Sequence, residues 1–218
     1  MARRDFRPVR VVAHLVNGFV AMDPWSPTLD GILGYWLLYR RLGPDRFYED
    51  QAARRDTDPL LDMPLQRVDG PNGAWWFAVS SPIYAEVAQH RSFYHRRFDT
   101  EIAVDRADVR RKVQTKSGPM KNMRRYDLVH LAPSITWHAI GDPAVIRELV
   151  ECCEYVGAER ARGHGRVRRW EVIEGGSAHQ AMYRRPLPVA FARRQGVDGP
   201  VMRWGIRPPL RNNPATCV

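Results

Sequence analysis

The residues of this chain with the clearest chemical potential are cations set around glycine. Between Asp108 and Tyr126 the sequence DVRRKVQTKSGPMKNMRRY carries Arg110, Arg111, Lys112, Lys116, Lys121, Arg124 and Arg125, with Asn122 among them and Asp108 as the one acid. A solvated loop normally mixes signs, so this crowding about a glycine–proline turn points to a basic hairpin or loop laid along a nucleic-acid backbone. A second stretch, GAERARGHGRVRRWEV at 157–172, sets Gly163, His164 and Gly165 among Arg160, Arg162, Arg166, Arg168 and Arg169. Glycine lets a backbone approach a phosphate closely, and successive N–H groups in such a turn form an anion site that arginines strengthen. An ordinary solvated loop has the same letters. In HRSFYHRRFD, residues 90–99, Phe93 or Tyr94 can stack on bases while Arg91, Arg96 and Arg97 hold phosphates. Core packing of one aromatic face explains that stretch almost as well.

Other chemistries find less support. Gly163-His164-Gly165 follows a helix pattern and precedes a strand pattern, which fits neither a P-loop nor a dinucleotide fingerprint and argues against a nucleotide cofactor. Cys152 and Cys153 are adjacent and Cys217 is remote, so no metal-ligand or redox spacing exists. Histidines such as His14, His90, His95, His130, His138 and His164 are scattered, and no pair is singled out for acid–base work. The expectation is a chain without catalytic residues, metal or cofactor. The surplus of 34 basic over 24 acidic residues, a net charge of +10, agrees with a polyanionic partner, nucleic acid foremost. No apolar run approaches a membrane span and the N-terminus has no apolar signal region, so a cytoplasmic protein is expected.

The elements that must position these cations read as follows. RPVRVVAHLV, residues 7–16, alternates with Val9, Val11, Ala13 and Leu15 on one face, a first strand. Ser26 as cap and Pro27 at the first position open a helix over 27–42 that Gly43-Pro44 stops. Residues 44–73 read as an irregular excursion, AWWFAVS as a buried strand, and 82–99 as either extended or helical. SITWHAI alternates again; Asp142 and Pro143 open a second helix with Ile146, Leu149, Cys153 and Val156 in its stripe, ended by Gly157. RVRRWEVI is a strand, and the tail beyond Gly175-Gly176 reads as short strands and proline-fixed connections. The order is that of an α+β, ferredoxin-like βαββαβ domain, the arrangement that also underlies RRM modules.

Several stretches together carry a family resemblance: LDGILGYW on the first helix, KSGPMKN in the basic turn, ITWHAIGD, GHGRVRRWEV, and WGIRPP in the tail. In this order they resemble the RAMP-superfamily proteins of type IV CRISPR systems, specifically the Cascade-type subunit that caps the 5′ handle of the crRNA. The resemblance implies a ferredoxin-like domain over residues 1–176, with insertions at about 44–73 and 105–125, the second a basic thumb-like segment. Residues 177–218 would be a small C-terminal β extension packed on it. It further implies that Gly163 and Gly165 belong to the superfamily's glycine-rich loop and that Lys116 and Lys121 lie near the handle. Its partners would be the guide RNA, the backbone and large subunits of an effector complex, and target DNA near the PAM. Valine at Gly163 and Gly165 is expected to disturb the loop while the fold survives. Two alternatives stay open: a metal-independent crRNA-processing endoribonuclease of the same superfamily, and a generic basic nucleic-acid binder.

Overall fold

A computed structural model describes residues 5–49, 62–97, 115–117, 121–208, 210 and 213–218. At its centre lies strand β1 (Arg7–Leu15). Its alternation sends Val9, Val11 and Ala13 to complete burial. Two other long strands flank it antiparallel, β7 (Ser134–Gly141) and β8 (Val167–Glu174), in the order β7-β1-β8. The far edge of β7 is not bare. Bridges from Leu65 to Gly141, Val79 to Ala139 and Ile83 to Thr136 run a further, interrupted segment antiparallel along it.

Helices α1 (Leu29–Leu42) and α3 (Pro143–Glu151) cover one face of this sheet. Leu29, Leu33, Ile146, Leu149 and Val150 meet Val9, Val11, Ile135, Trp137 and Ala139 in one core. Each of the valine, leucine and isoleucine side chains among them contributes roughly 1.5–3 kcal/mol when fully buried. The helix starts differ in how well the sequence announces them. Asp142 caps α3 as expected, accepting from the amides of Ala144 and Val145. The start of α1 needs correction. Thr28, not Ser26, is the cap, accepting from Gly31. Pro27 lies outside the helix, after a cis Ser26–Pro27 bond, with its carbonyl taken by Trp137 Nε1 at 2.9 Å.

The second helix also ends sooner than its apolar stripe suggests, at Glu151 instead of Val156. Cys153 and Val156 are buried all the same. Residues 152–158 are drawn out of helix by pairing elsewhere: Val156 donates to Gly165 O, and Ala158 donates to Val20 O. Strand pairing there satisfies the amides that a longer helix would have used.

The excursion at 44–73 holds α2 (Pro44–Glu49) and β3 (Arg67–Asp69), with 50–61 outside the described residues. β3 pairs with β4 (Trp75–Phe77), the centre of the expected buried strand. The tail likewise contains more than strands. Helices α4 (Ala178–Tyr183) and α5 (Val189–Arg194) precede the ribbon of β9 (Met202–Gly205) and β10 (Pro214–Cys217). These helices run only six residues each, too short for a 3.6-residue periodicity to register between prolines and glycines. The tail forms a second core in which Leu187, Ala192, Ile206 and Cys217 pack with Val68, Trp76 and Ala78.

One buried ion pair joins the two cores. Asp30 on α1 is fully buried, and Arg185 in the tail reaches it at 3.5 Å. The same guanidinium donates to Phe77 O at 2.6 Å and Ile206 O at 2.7 Å. Burial holds Arg185 below its ordinary value although Asp30 pulls the other way. Removing either partner would strand an uncompensated charge.

Candidate nucleic-acid interface

The segment left undecided between extended and helical is a strand, β5 (Ala88–Arg96), paired antiparallel with β6 (Met123–Leu131). Near its base β6 also pairs with the short β2 (Phe19–Val20), giving a sheet ordered β2-β6-β5. At this base the Glu86 carboxylate meets His130 Nδ1 at 2.5 Å, and His130 stacks on Phe19. The His130 hydrogen bond is the main reason that Glu86 lies below the ordinary carboxylate value.

Register sorts the hairpin's side chains into two faces, because directly opposed residues point the same way. The outer face carries Arg91 opposite Leu128, Phe93 opposite Tyr126, and His95 opposite Arg124. Phe93 is 48% exposed and Tyr126 53% exposed, their ring centroids 5.8 Å apart. Cations lie over both: Arg124 is 4.6 Å from the Phe93 centroid and Arg91 4.9 Å from that of Tyr126. Exposed aromatics that alternate with guanidinium groups are the equipment for stacking bases while holding phosphates.

The inner face belongs to Ser92, Tyr94, Asp127 and Arg125. Here the sequence reading divides. Phe93 is about half exposed with Arg124 over its ring, whereas Tyr94 is half-buried beneath Arg162, whose guanidinium lies 4.5 Å from its ring centroid. Arg162 also pairs with Asp127 and donates to Ser92 Oγ at 3.3 Å. One arginine of the glycine-rich stretch thus clamps its turn to the hairpin. Asp127 makes the clamp, and an acid one residue beyond a basic run gave no sign of that role.

The turn itself is a 3₁₀ segment, Arg160–Arg162, followed by Gly163 at φ +84 and Gly165 at φ +73. Both angles lie in the region that favours glycine. Their surroundings differ. A Cβ at Gly163 meets nothing within 4 Å, but one at Gly165 would fall 1.9 Å from the Val156 carbonyl oxygen. Gly165 therefore permits a close approach to the chain's own backbone. Its valine substitution cannot leave the fold intact, contrary to the expectation from sequence.

The anion nest expected of this loop also needs correction. The amide of Gly163 donates to Arg160 O, that of Gly165 to Gly18 O, and that of Val167 to Glu154 O. The Arg166 amide donates to Asn17 Oδ1 at 2.9 Å, while Asn17 Nδ2 donates to Gly163 O at 2.6 Å. Backbone donors already paired within the protein are not available to phosphate. What the loop does present are side chains: Arg166 and Arg168 are exposed, with His164 half-exposed beside them. Asn17, which pins the loop twice, was missed because a lone asparagine in a turn carries no distinguishing spacing.

The remaining sequence candidates cluster at the hairpin tip. Arg96 donates from Nη2 to the Lys121 carbonyl at 3.1 Å, and the Asn122 amide donates to Thr115 O. Lys121 and Lys116 are exposed, as are Arg97, Arg124 and Arg125. Arg110, Arg111 and Lys112 lie outside the described residues. Among the described residues no cluster of His, Cys, Asp and Glu is arranged to hold a metal. No helix among them is long and apolar enough to cross a membrane.

Fold and surface together define a basic α+β protein whose cations gather on an exposed hairpin and the turn clamped beside it. The family model described as CRISPR type IV associated protein Csf3 matches residues 8–217. The chain belongs to that family and is a type IV CRISPR-associated protein. No curated relative matches it.

Proposed function

We propose that this chain is a non-catalytic crRNA-binding subunit of a type IV CRISPR effector complex. In this reading it caps the 5′ handle of the guide beside the backbone and large subunits, close to the PAM duplex, while base pairing reads the target. The observation that carries it is the outer hairpin face, where Arg91 and Arg124 flank exposed Phe93 and Tyr126. Family membership supplies the CRISPR context. The β7-β1-β8 sheet, its interrupted fourth edge and the two helices on one face support the ferredoxin-like reading of the core. In chain order the thumb-like insertion at about 105–125 then falls between β5 and β6 and reaches the start of β6.

The absence of catalysis is part of the same proposal. His14 lies 3.3 Å from Glu171, His130 is held by Glu86, and His138 Nδ1 accepts from the Ser177 amide. Each of these three rings has a partner within the protein.

The test is to express the chain with its genomic neighbours, purify it at moderate salt and sequence the RNA that accompanies it. Short RNAs sharing one repeat-derived 5′ handle are the expected result. Heterogeneous RNA without co-purifying subunits would leave a generic basic binder. A uniform handle made by this chain alone, with 2′,3′-cyclic phosphate ends, would identify a nuclease instead.

A further inference from the structure

Arg160 and Arg162 stand at the two ends of one 3₁₀ turn and point to different places. Arg162 faces the hairpin. Arg160 faces α1, its guanidinium 5.4 Å from the Tyr35 ring centroid. Between α1 and the 152–160 segment lie two adjoining hollows of about 360 and 200 Å³ that share Trp36, Tyr155 and Arg160 in their linings. Arg160 is exposed and has no carboxylate partner among the described residues.

We infer that this cleft is a second nucleic-acid contact, a pocket for one unpaired base of the strand held by the hairpin. The inference rests on the proposed RNA-binding role. Three observations favour a base as occupant. The cleft is aromatic on the Trp36 and Tyr155 sides, and every base has a face to lay against such rings. Arg160 stands at the mouth beside the Tyr35 ring with no carboxylate partner among the described residues, so a phosphate following the base has a bidentate donor. Glu154 lines the larger hollow together with Arg160, and its carboxylate disfavours a phosphate inside the hollow itself. The third observation is continuity. Arg160 opens the same 3₁₀ turn that Arg162 closes against the hairpin, so one short turn joins the two surfaces; Glu159 beside it is engaged by Arg162 at 3.6 Å, and Glu154 is the acid lining the cleft.

No local pattern points to this cleft, because Trp36 and Tyr155 stand 119 positions apart and Arg160 is one arginine among many. Only folding of the 152–158 segment back onto β2 and the glycine turn brings them together.

The experiment uses the full chain and single-stranded RNA 20-mers of random sequence carrying 4-thiouridine, irradiated and mapped by mass spectrometry. Cross-links are expected on hairpin peptides from 88–96 and 123–131, and on the cleft at Trp36 or Tyr155. In Arg160→Glu, which alters an exposed side chain and leaves the core packing in place, cleft cross-links should fall about tenfold while hairpin cross-links persist. The salt slope of binding should shrink by about 0.7, the share of one phosphate on a single strand. Hairpin cross-links with a blank cleft would overturn the inference and leave the RNA-binding role standing. Protection of the cleft from surface labelling only in the assembled complex, again without cross-links, would assign it to a protein neighbour. Absence of all cross-linking and binding would overturn both.

Discussion

The Arg162 guanidinium reaches from the glycine-rich turn across to the Asp127 carboxylate on β6, and this pair is the joint between the hairpin and the central sheet. Both side chains are largely shielded, 25% and 17% exposed, so water screens the pair less than it would a surface bridge. Ser92 and Tyr94 complete the seat of the same guanidinium. An arginine that looked like a phosphate ligand in the sequence is instead held by three groups of the hairpin. Its remaining influence on an RNA is to fix where Arg166, Arg168 and the outer hairpin face stand relative to one another.

Breaking the joint should therefore cost stability. Asp127→Ala leaves the half-buried Arg162 with only the more distant Glu159 carboxylate, at 3.6 Å, and is expected to destabilise the fold by about 1–2 kcal/mol. Arg162→Ala in that background should add little, and a double-mutant cycle on urea midpoints should return a coupling of about 1 kcal/mol. Additive losses would show that the two side chains act independently.

On the outer face the effects should fall on binding alone. Phe93 and Tyr126 are exposed, so alanine at either should leave the urea midpoint within about 0.5 kcal/mol of the parent. Affinity for single-stranded RNA should drop by about 1–3 kcal/mol per lost stacking partner, measured by fluorescence anisotropy. Unchanged affinity would move the interface off this face.

Charge reversal at the tip separates phosphate contacts from stacking. Lys116→Glu with Lys121→Glu should weaken binding at low salt and reduce the slope of log K against log salt by about 0.7 per lost contact. An unaltered slope would remove the tip lysines from the contact surface.

The two glycines of the turn should behave oppositely. Gly163→Ala meets open space and costs only the left-handed strain, about 1–2 kcal/mol. Gly165→Ala brings a methyl group against the Val156 carbonyl as well, and is expected to unfold the turn or the protein. Comparable melting temperatures for the two variants would contradict this close approach.

Acid should loosen the seat of α4. Burial, and after it Arg10 and Arg184, hold His138 below its ordinary value of 6.5. The folded state then takes up this proton at lower pH than the unfolded chain. Stability fully present above the unfolded value is lost as the pH falls toward the folded one, where a proton on Nδ1 would expel the Ser177 amide. His138→Gln keeps an acceptor but cannot titrate, so the urea midpoint of the parent should fall further than the variant's between about pH 8 and about pH 5. Equal losses would place the titrating group elsewhere.

Much of this protein was already written in local pattern. Period-two alternation set β1 and β7, with Val9, Val11, Ile135 and Trp137 inward as read, and Asp142 announced the start of α3. The cationic character of 90–97 and 121–125 was equally legible, because composition is local. Short elements were not. The six-residue tail helices lie below the length at which periodicity speaks, and the end of α3 at Glu151 was decided by the pairing of Val156 with Gly165.

Charge alone could not say which cations face solvent. The sequence by itself determined that the chain is basic, where its long strands and helices start, and which family it resembles. Tertiary structure decided that Arg162 and Tyr94 turn inward together while Phe93 and Arg124 turn out, that the Gly165 and Arg166 amides are taken by Gly18 and Asn17, and that Asp30 requires Arg185. Each of these depends on partners 35 or more residues apart, or on which of two alternating faces meets the body of the protein. A strand's sequence fixes the alternation of its faces, but only the packing of that strand against the rest of the chain determines which face is covered.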